Sequence, residues 1–213
     1  MKLMHWIKKL FYFVVFMAVS TAWAGSYEDF FVALKRNNAS AVAELLQKGF
    51  DPNTPDPKGG IPLVMALQDE NFAVAEALLE SKDLNVNAMN QAGETALMMA
   101  ALRGNVAWCE RLLARGANVN KKGWTPLHYA ASSPEPKTVQ LLLERGAIVD
   151  AESPDRSTPL MFAARYGKED SVKILLAAGA DPTRTNDRNM NAADFARGGG
   201  REWLAVSLSK PGR

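Results

Sequence analysis

One short motif recurs at intervals near 33 residues, and this repetition limits the fold more than any other feature of the chain. Ile61-Pro62-Leu63, Thr95-Ala96-Leu97, Thr125-Pro126-Leu127, Thr158-Pro159-Leu160 and Met190-Asn191-Ala192 lie 34, 30, 33 and 32 residues apart. Small residues follow each copy: Ala66, Ala100-Ala101, Ala130-Ala131, Ala163-Ala164 and Ala196. A second landmark, Leu-Leu-x-x-Gly, keeps register with the first at Leu45-Leu46 to Gly49, Leu112-Leu113 to Gly116, Leu142-Leu143 to Gly146 and Leu175-Leu176 to Gly179. Its missing member is Leu78-Leu79, where Glu80-Ser81-Lys82-Asp83-Leu84 makes the link one residue longer. A period in this range builds an array of similar units, each touching only its neighbours.

Each position has a physical job. Thr ahead of Pro caps a helix, its hydroxyl accepting from a free backbone N–H. Pro at the first helical position already has the φ a helix needs. The alanines let a neighbouring helix approach, and the paired leucines give a second helix its buried stripe. Gly then ends that helix in the left-handed conformation. The links Asp51-Pro52-Asn53, Asn85-Val86-Asn87, Asn118-Val119-Asn120 and Asp181-Pro182-Thr183 suit turns, because short polar side chains hydrogen-bond turn backbone.

Thr125-Pro126-Leu127-His128-Tyr129-Ala130-Ala131, followed by Leu142-Leu143-Glu144-Arg145-Gly146-Ala147, resembles the ankyrin repeat family. The resemblance covers nearly all of residues 27–207. It implies an all-α solenoid of stacked helix-turn-helix units with short projecting hairpin or turn fingers. The expected units are an N-terminal cap at about 27–56, repeats at 57–89, 90–119, 120–152 and 153–185, and a C-terminal cap at 186–213. Tyr27-Glu28-Asp29-Phe30-Phe31 lacks Thr-Pro and Asn191-Ala192-Ala193-Asp194-Phe195 is degenerate, as suits end units with a polar outer face.

Residues 1–24 read as a secretory signal peptide. Lys2, Lys8 and Lys9 precede the ten-residue apolar run Leu10 to Val19, and Ala22-Trp23-Ala24 offers a small-residue cleavage site before Gly25. The apolar run is half the roughly 20 residues a membrane-spanning helix needs, so no integral membrane segment is expected after cleavage. With this segment the chain is similar to small exported ankyrin proteins of Gram-negative bacteria, and a periplasmic location is expected. Asn38-Ala39-Ser40 also matches a glycosylation sequon, a pattern that arises easily by chance.

Without residues 1–24 the chain holds 22 basic and 23 acidic side chains. That balance disfavours a cationic nucleic-acid binder. One remaining His and one Cys leave no multi-His or four-cysteine metal site and no internal disulfide. No nucleophile–base constellation is present, so no catalytic residues, cofactor or metal are expected. His128, inside the Thr-Pro-Leu-His motif, reads as structural by the resemblance; Cys109 reads as an inert small hydrophobe beside Trp108. Gly198-Gly199-Gly200 reads as a flexible turn in the last cap rather than a phosphate loop.

In a repeat array, position in sequence becomes position along the stack. Residues 25–94 hold five basic and eleven acidic side chains; residues 95–213 hold 17 and 12. A front-acidic, back-basic array would steer a partner of opposite gradient. The turn between Asn120 and Thr125 is three residues shorter than the stretch before Thr95, which predicts a notch in the row of turns. Trp124 at that notch is either a binding anchor flanked by Lys121 and Lys122 or a cover for the gap.

Family geometry adds contact candidates on the concave face and turn tips: Gln68, Asp69, Asn90, Gln91, Glu94, Arg103, Arg156, Ser157, Arg165, Tyr166 and Arg188. The resemblance implies a monomeric, non-catalytic interaction module whose partner is another protein, located in the envelope. Its expected role is adaptor or stabiliser of an envelope or stress-defence protein. The alternatives are an inhibitor or immunity protein capping a toxin or enzyme, a membrane- or wall-associated role resting on the basic C-terminal residues, and, remotely, an enzyme.

Overall fold

Thr95, Thr125, Thr158 and Asn191 each open a helix, and each first turn is closed in the same way. The side chain three residues on reaches back to the N-cap N–H: the Met98 and Met161 sulfurs at 3.4 Å, His128 Nδ1 at 3.2 Å and Asp194 Oδ2 at 3.0 Å. These reciprocal caps satisfy donors that a helix start otherwise leaves open. The final member is capped by Asn191, one residue later than the motif alignment places it.

The computed structural model describes residues 25–209. The signal-peptide assignment at 1–24 lies outside the described residues, as do residues 210–213. The elements are α1 (25–35), α2 (Ala39–Gln47), α3 (Pro62–Gln68), α4 (Phe72–Glu80), α5 (Ala96–Leu102), α6 (Val106–Ala114), α7 (Pro126–Ala131), α8 (Pro136–Glu144), α9 (Pro159–Tyr166), α10 (Glu169–Ala177), α11 (Ala192–Gly198) and α12 (Glu202–Leu208). No strand occurs among the described residues. They group into two units, one ending at Asn85 and one beginning at Val86.

In the first unit α3 and α2 pack on α4, with Phe30, Leu34, Val42, Leu63, Leu67 and Leu78 buried. Phe30 stacks on Phe50 at 4.2 Å between ring centres. In the second unit α5, α7, α9 and α11 form one layer, each packed on the next, and α6, α8 and α10 form another behind them. This side-by-side packing of successive helix pairs is that of a repeat solenoid. The motif alanines and Leu78, Leu112, Leu142 and Leu175 line the two cores, whereas Leu45, Leu46, Leu113 and Leu143 are half-buried and Leu176 is exposed.

The Asn/Asp-rich links bond the next repeat rather than only their own turn. Asn53 donates to the Asp83 carbonyl and accepts the Asn85 N–H. Asn87 does the same with Gly116 and Asn118, and Asn120 with Gly146 and Ile148. Each side-chain amide thereby replaces a backbone partner across about thirty residues of chain. Asp150 holds the fourth position and accepts the Asp181 N–H.

The repeats project one kind of finger. At 56–60, 90–94, 153–157 and 186–190 the first N–H donates to the fifth carbonyl, at 2.8 to 3.0 Å. The fourth residue has positive φ: Gly59, Gly93, Arg156 and Asn189. The carboxylate or amide oxygens of Asp56, Asn90 and Asn186 each accept two N–H groups inside their finger. Between Asn120 and Thr125 this finger bond is missing, in keeping with the deletion.

Candidate protein-binding surface

The shortened turn delivers Trp124 into a cluster of rings on the α7 and α9 layer. Its indole meets His128, Tyr129 and Phe162 edge-on, with ring centres 5.4, 6.5 and 5.1 Å away. Phe162 continues the cluster to Tyr166 at 6.3 Å and to Phe195 at 5.9 Å. Edge-to-face contacts at these distances are favourable beyond area burial. Trp124 is half-buried, so part of it faces solvent and part plugs the gap. Lys121 bridges the turn by donating to the Trp124 carbonyl at 3.3 Å.

Polar groups frame the rings. The Tyr129 hydroxyl donates to Glu94 Oε1 at 2.9 Å, and Asn90 donates to Glu94 Oε2 at 2.8 Å. Burial, together with the Glu94 carboxylate, pushes the Tyr129 phenol well above its ordinary range, so Tyr129 stays a neutral donor. At the other end Tyr166 is 59% exposed, with the Arg165 guanidinium 5.2 Å from its ring centre. Tyr and Arg are residue types enriched at interface hot spots.

The sequence candidates divide accordingly. Trp124, Lys121, Lys122, Glu94, Arg165 and Tyr166 stand on or beside the ring cluster. Gln91 and Arg156 occupy exposed finger tips, and Arg188 sits on the neighbouring finger, 3.9 Å from Asp155. Arg103 is exposed as the C-cap of α5. Asn90 is committed to its finger and to Glu94. Gln68 and Asp69 are exposed at the end of α3 in the first unit.

Ser157 is a correction. It is 0% exposed; its carbonyl pairs with His128 Nε2 at 3.1 Å and its hydroxyl accepts from Asn186 at 3.1 Å. It is an internal link between fingers and offers no contact surface. The basic C-terminal residues are likewise largely committed. Arg184 pairs with Glu152, Arg188 with Asp155, and Arg197 with Asp194 and Glu202. Arg201 Nη1 donates to the carbonyls of Ala163, Ala164 and Gly167, capping the end of α9.

Gly198 ends α11 and Gly199-Gly200 form the turn after it, a turn packed tightly at Gly199. A Cβ on Gly199 would lie 2.6 Å from the Arg165 carbonyl oxygen, so the backbones meet there directly. Tyr129 and Phe162 escaped the sequence reading, although a signal was present. They share a register with Met99 and Phe195, four residues after each helix cap, and the large apolar type recurs there.

The titratable groups inside the fold are structural. His128 is 1% exposed. Its Nδ1 accepts the Thr125 N–H, which places the ring proton on Nε2, facing the Ser157 carbonyl. Burial drops its pKa to about 4. Cys109 is fully buried, and burial pushes its thiol up to about 12, with the Glu110 charge adding to the rise. Among the described residues no group of His, Cys, Asp and Glu is arranged to hold a metal ion, and no helix is long and apolar enough to cross a membrane.

Paired helices joined by capped turns and packed side by side define a helical repeat protein. The family profile "Ankyrin repeats (3 copies)" matches residues 30–122 and 109–186, and the chain belongs to the ankyrin repeat family. It is similar to the human transient receptor potential cation channel subfamily A member 1, 30% identical over 70% of this chain and 14% of that protein. It is 46% identical to human neurogenic locus notch homolog protein 4 over 42% of this chain and 5% of that protein. It is 32% identical to the Gallus gallus nuclear factor NF-kappa-B p105 subunit over 71% of this chain and 16% of that protein. The chain thus spans a small part of each of these relatives. Ankyrin repeats generally mediate protein–protein interaction, and members of the family are mostly non-catalytic.

Proposed function

We propose that this protein is an exported, non-catalytic binding module that holds a folded partner protein against the ring cluster and fingers of residues 86–209. Residues 1–24 serve as its signal peptide and the periplasm is its compartment. It acts there as an adaptor or stabiliser of another envelope or stress-defence protein. The single observation that carries the binding reading is Tyr166: a large ring, more than half exposed, continuous with Phe162 and Trp124 and stacked under Arg165. Solitary exposed apolar residues are ordinary, whereas one continuous with a row of aromatic and charged groups marks an interaction site.

The relatives named above are eukaryotic, so the export reading rests on residues 1–24. A lone buried cysteine is compatible with an oxidising compartment.

Crosslinking and pull-down from the envelope fraction tests the binding reading, with Tyr166→Ala as control. A partner captured by the wild type and lost in the variant supports it; equal capture by both sinks this surface. Fractionation with intact-mass measurement tests export. The expected species is periplasmic and begins at Gly25, and a full-length cytoplasmic chain refutes it.

A further inference from the structure

The first unit carries a groove that none of the sequence candidates identifies. Tyr27, Phe31 and Val32 on α1 form one wall, and Asp56 and Pro57 of the first finger form the other. The space is open and measures about 480 Å³. Ligand-sized clefts start near about 300 Å³, are mostly apolar and hold a few placed polar groups. The groove has that make-up: Glu28, Lys35 and Asp56 are its charged lining.

Its walls are fixed. The Tyr27 hydroxyl donates to the Pro55 carbonyl at 2.9 Å and its ring meets Phe31 at 4.9 Å, tying α1 to the finger base. Asp56 is held in place by the N–H groups of Lys58 and Gly60. The α1 wall stays open to solvent at Val32. Val32 occupies the register that Met65 and Met99 hold in α3 and α5; Met99 is 4% exposed and Val32 is 42% exposed. Pro57 beside it is also exposed.

Charge selects the occupant. Two carboxylates and one ammonium line the groove, and residues 25–85 as a whole hold ten acidic against five basic side chains. Such a field draws cations and repels anions. We propose that this groove is a second docking site, one that seats a large apolar side chain flanked by Lys or Arg on a partner protein. The seat lies in a different unit from the ring cluster and stands or falls independently of it.

The test uses the chain 25–213 and two fluorescein-labelled peptides, KAKWKAK and its acidic counterpart EAEWEAE, read by anisotropy at low salt. The basic peptide binds at least about tenfold more tightly, and its affinity falls as salt rises. Val32→Arg, which places bulk and positive charge in the groove, abolishes that binding. Lys35→Glu strengthens it by a few fold, a gain that a folding defect cannot imitate. Equal binding of the two peptides, or a basic peptide indifferent to both substitutions, overturns the proposal. Tyr166→Ala leaves this binding unchanged, which separates failure here from failure of the ring-cluster surface.

Discussion

His128 Nε2 lies 3.1 Å from the carbonyl oxygen of Ser157, so one imidazole spans two repeats while its other nitrogen caps its own helix. The Nδ1 bond requires the neutral ring, since a second proton would leave the Thr125 N–H facing another donor, whereas Nε2 donates to Ser157 in either state. The folded pKa of about 4 lies below the usual 6.5. The unfolded chain therefore binds the proton first, and stability is lost as pH falls from about 6.5 towards 4. The expected loss between pH 7 and pH 5 is about 2 kcal/mol from this residue. Urea melts at the two pH values measure it. His128→Met, which copies Met98 and Met161, should flatten that dependence; an unchanged slope would refute the assignment.

Asp150 stands where Asn53, Asn87 and Asn120 each donate to a carbonyl and accept an N–H across repeats. A carboxylate accepts the Asp181 N–H but has nothing to donate to the carbonyl of Gly179. Burial also holds its own carboxyl above the ordinary range. Asp150→Asn should complete the ladder and stabilise the fold by about 1 kcal/mol. A denaturant midpoint that stays put or falls would show that the fourth rung is built differently.

The parts of this fold that were legible are those with local physics. Thr-Pro caps, paired leucines and the glycines that close helices act within a few residues of themselves, so a single period exposed the helix pairs. What stayed hidden depends on partners about thirty residues away. Asn53 and Asn87 look like turn residues until the next repeat is in place. Ser157 precedes the Thr158 cap as Glu94 precedes Thr95, a position that reads as concave face; its burial comes from His128 and Asn186. The Val32 groove had no local signal, since an exposed valine on α1 reads in sequence like a core valine.

Trp124 and Tyr166 separate packing from binding. Trp124 touches three rings and is half-buried, so Trp124→Ala should cost about 2 kcal/mol, part of the penalty for a fully buried aromatic. Tyr166 is mostly exposed, so Tyr166→Ala should change stability by less than about 1 kcal/mol while abolishing partner capture. Thermal melts of both variants decide it. A Trp124→Ala protein that melts with the wild type would restore the indole to a purely external role.

Cys109 gives a clean report on opening. Its sulfur is fully buried and its thiol is pushed up to about 12, so the thiolate that reacts is scarce on both counts. Native protein should therefore resist an aromatic disulfide reagent, and labelling should follow unfolding rate rather than reagent pH. Rapid labelling of folded protein would mean that α6 opens locally.

Adjacent glycines at the end of α11 should respond in opposite directions. A Cβ at Gly199 would lie 2.6 Å from the Arg165 backbone oxygen, which cannot retreat without moving α9, whose end Arg201 also caps. Gly199→Ala should cost about 1–3 kcal/mol as an overpacked backbone contact. At Gly198 the nearest atom is Arg165 Nη1 at 3.3 Å, the far end of a flexible side chain, and the residue is helical. Gly198→Ala should be neutral or stabilise by up to about 1 kcal/mol, through helix propensity and a less free unfolded chain. Equal effects of the two substitutions would mean that the glycine run is a loose turn after all, and that α11 does not rest on the end of α9.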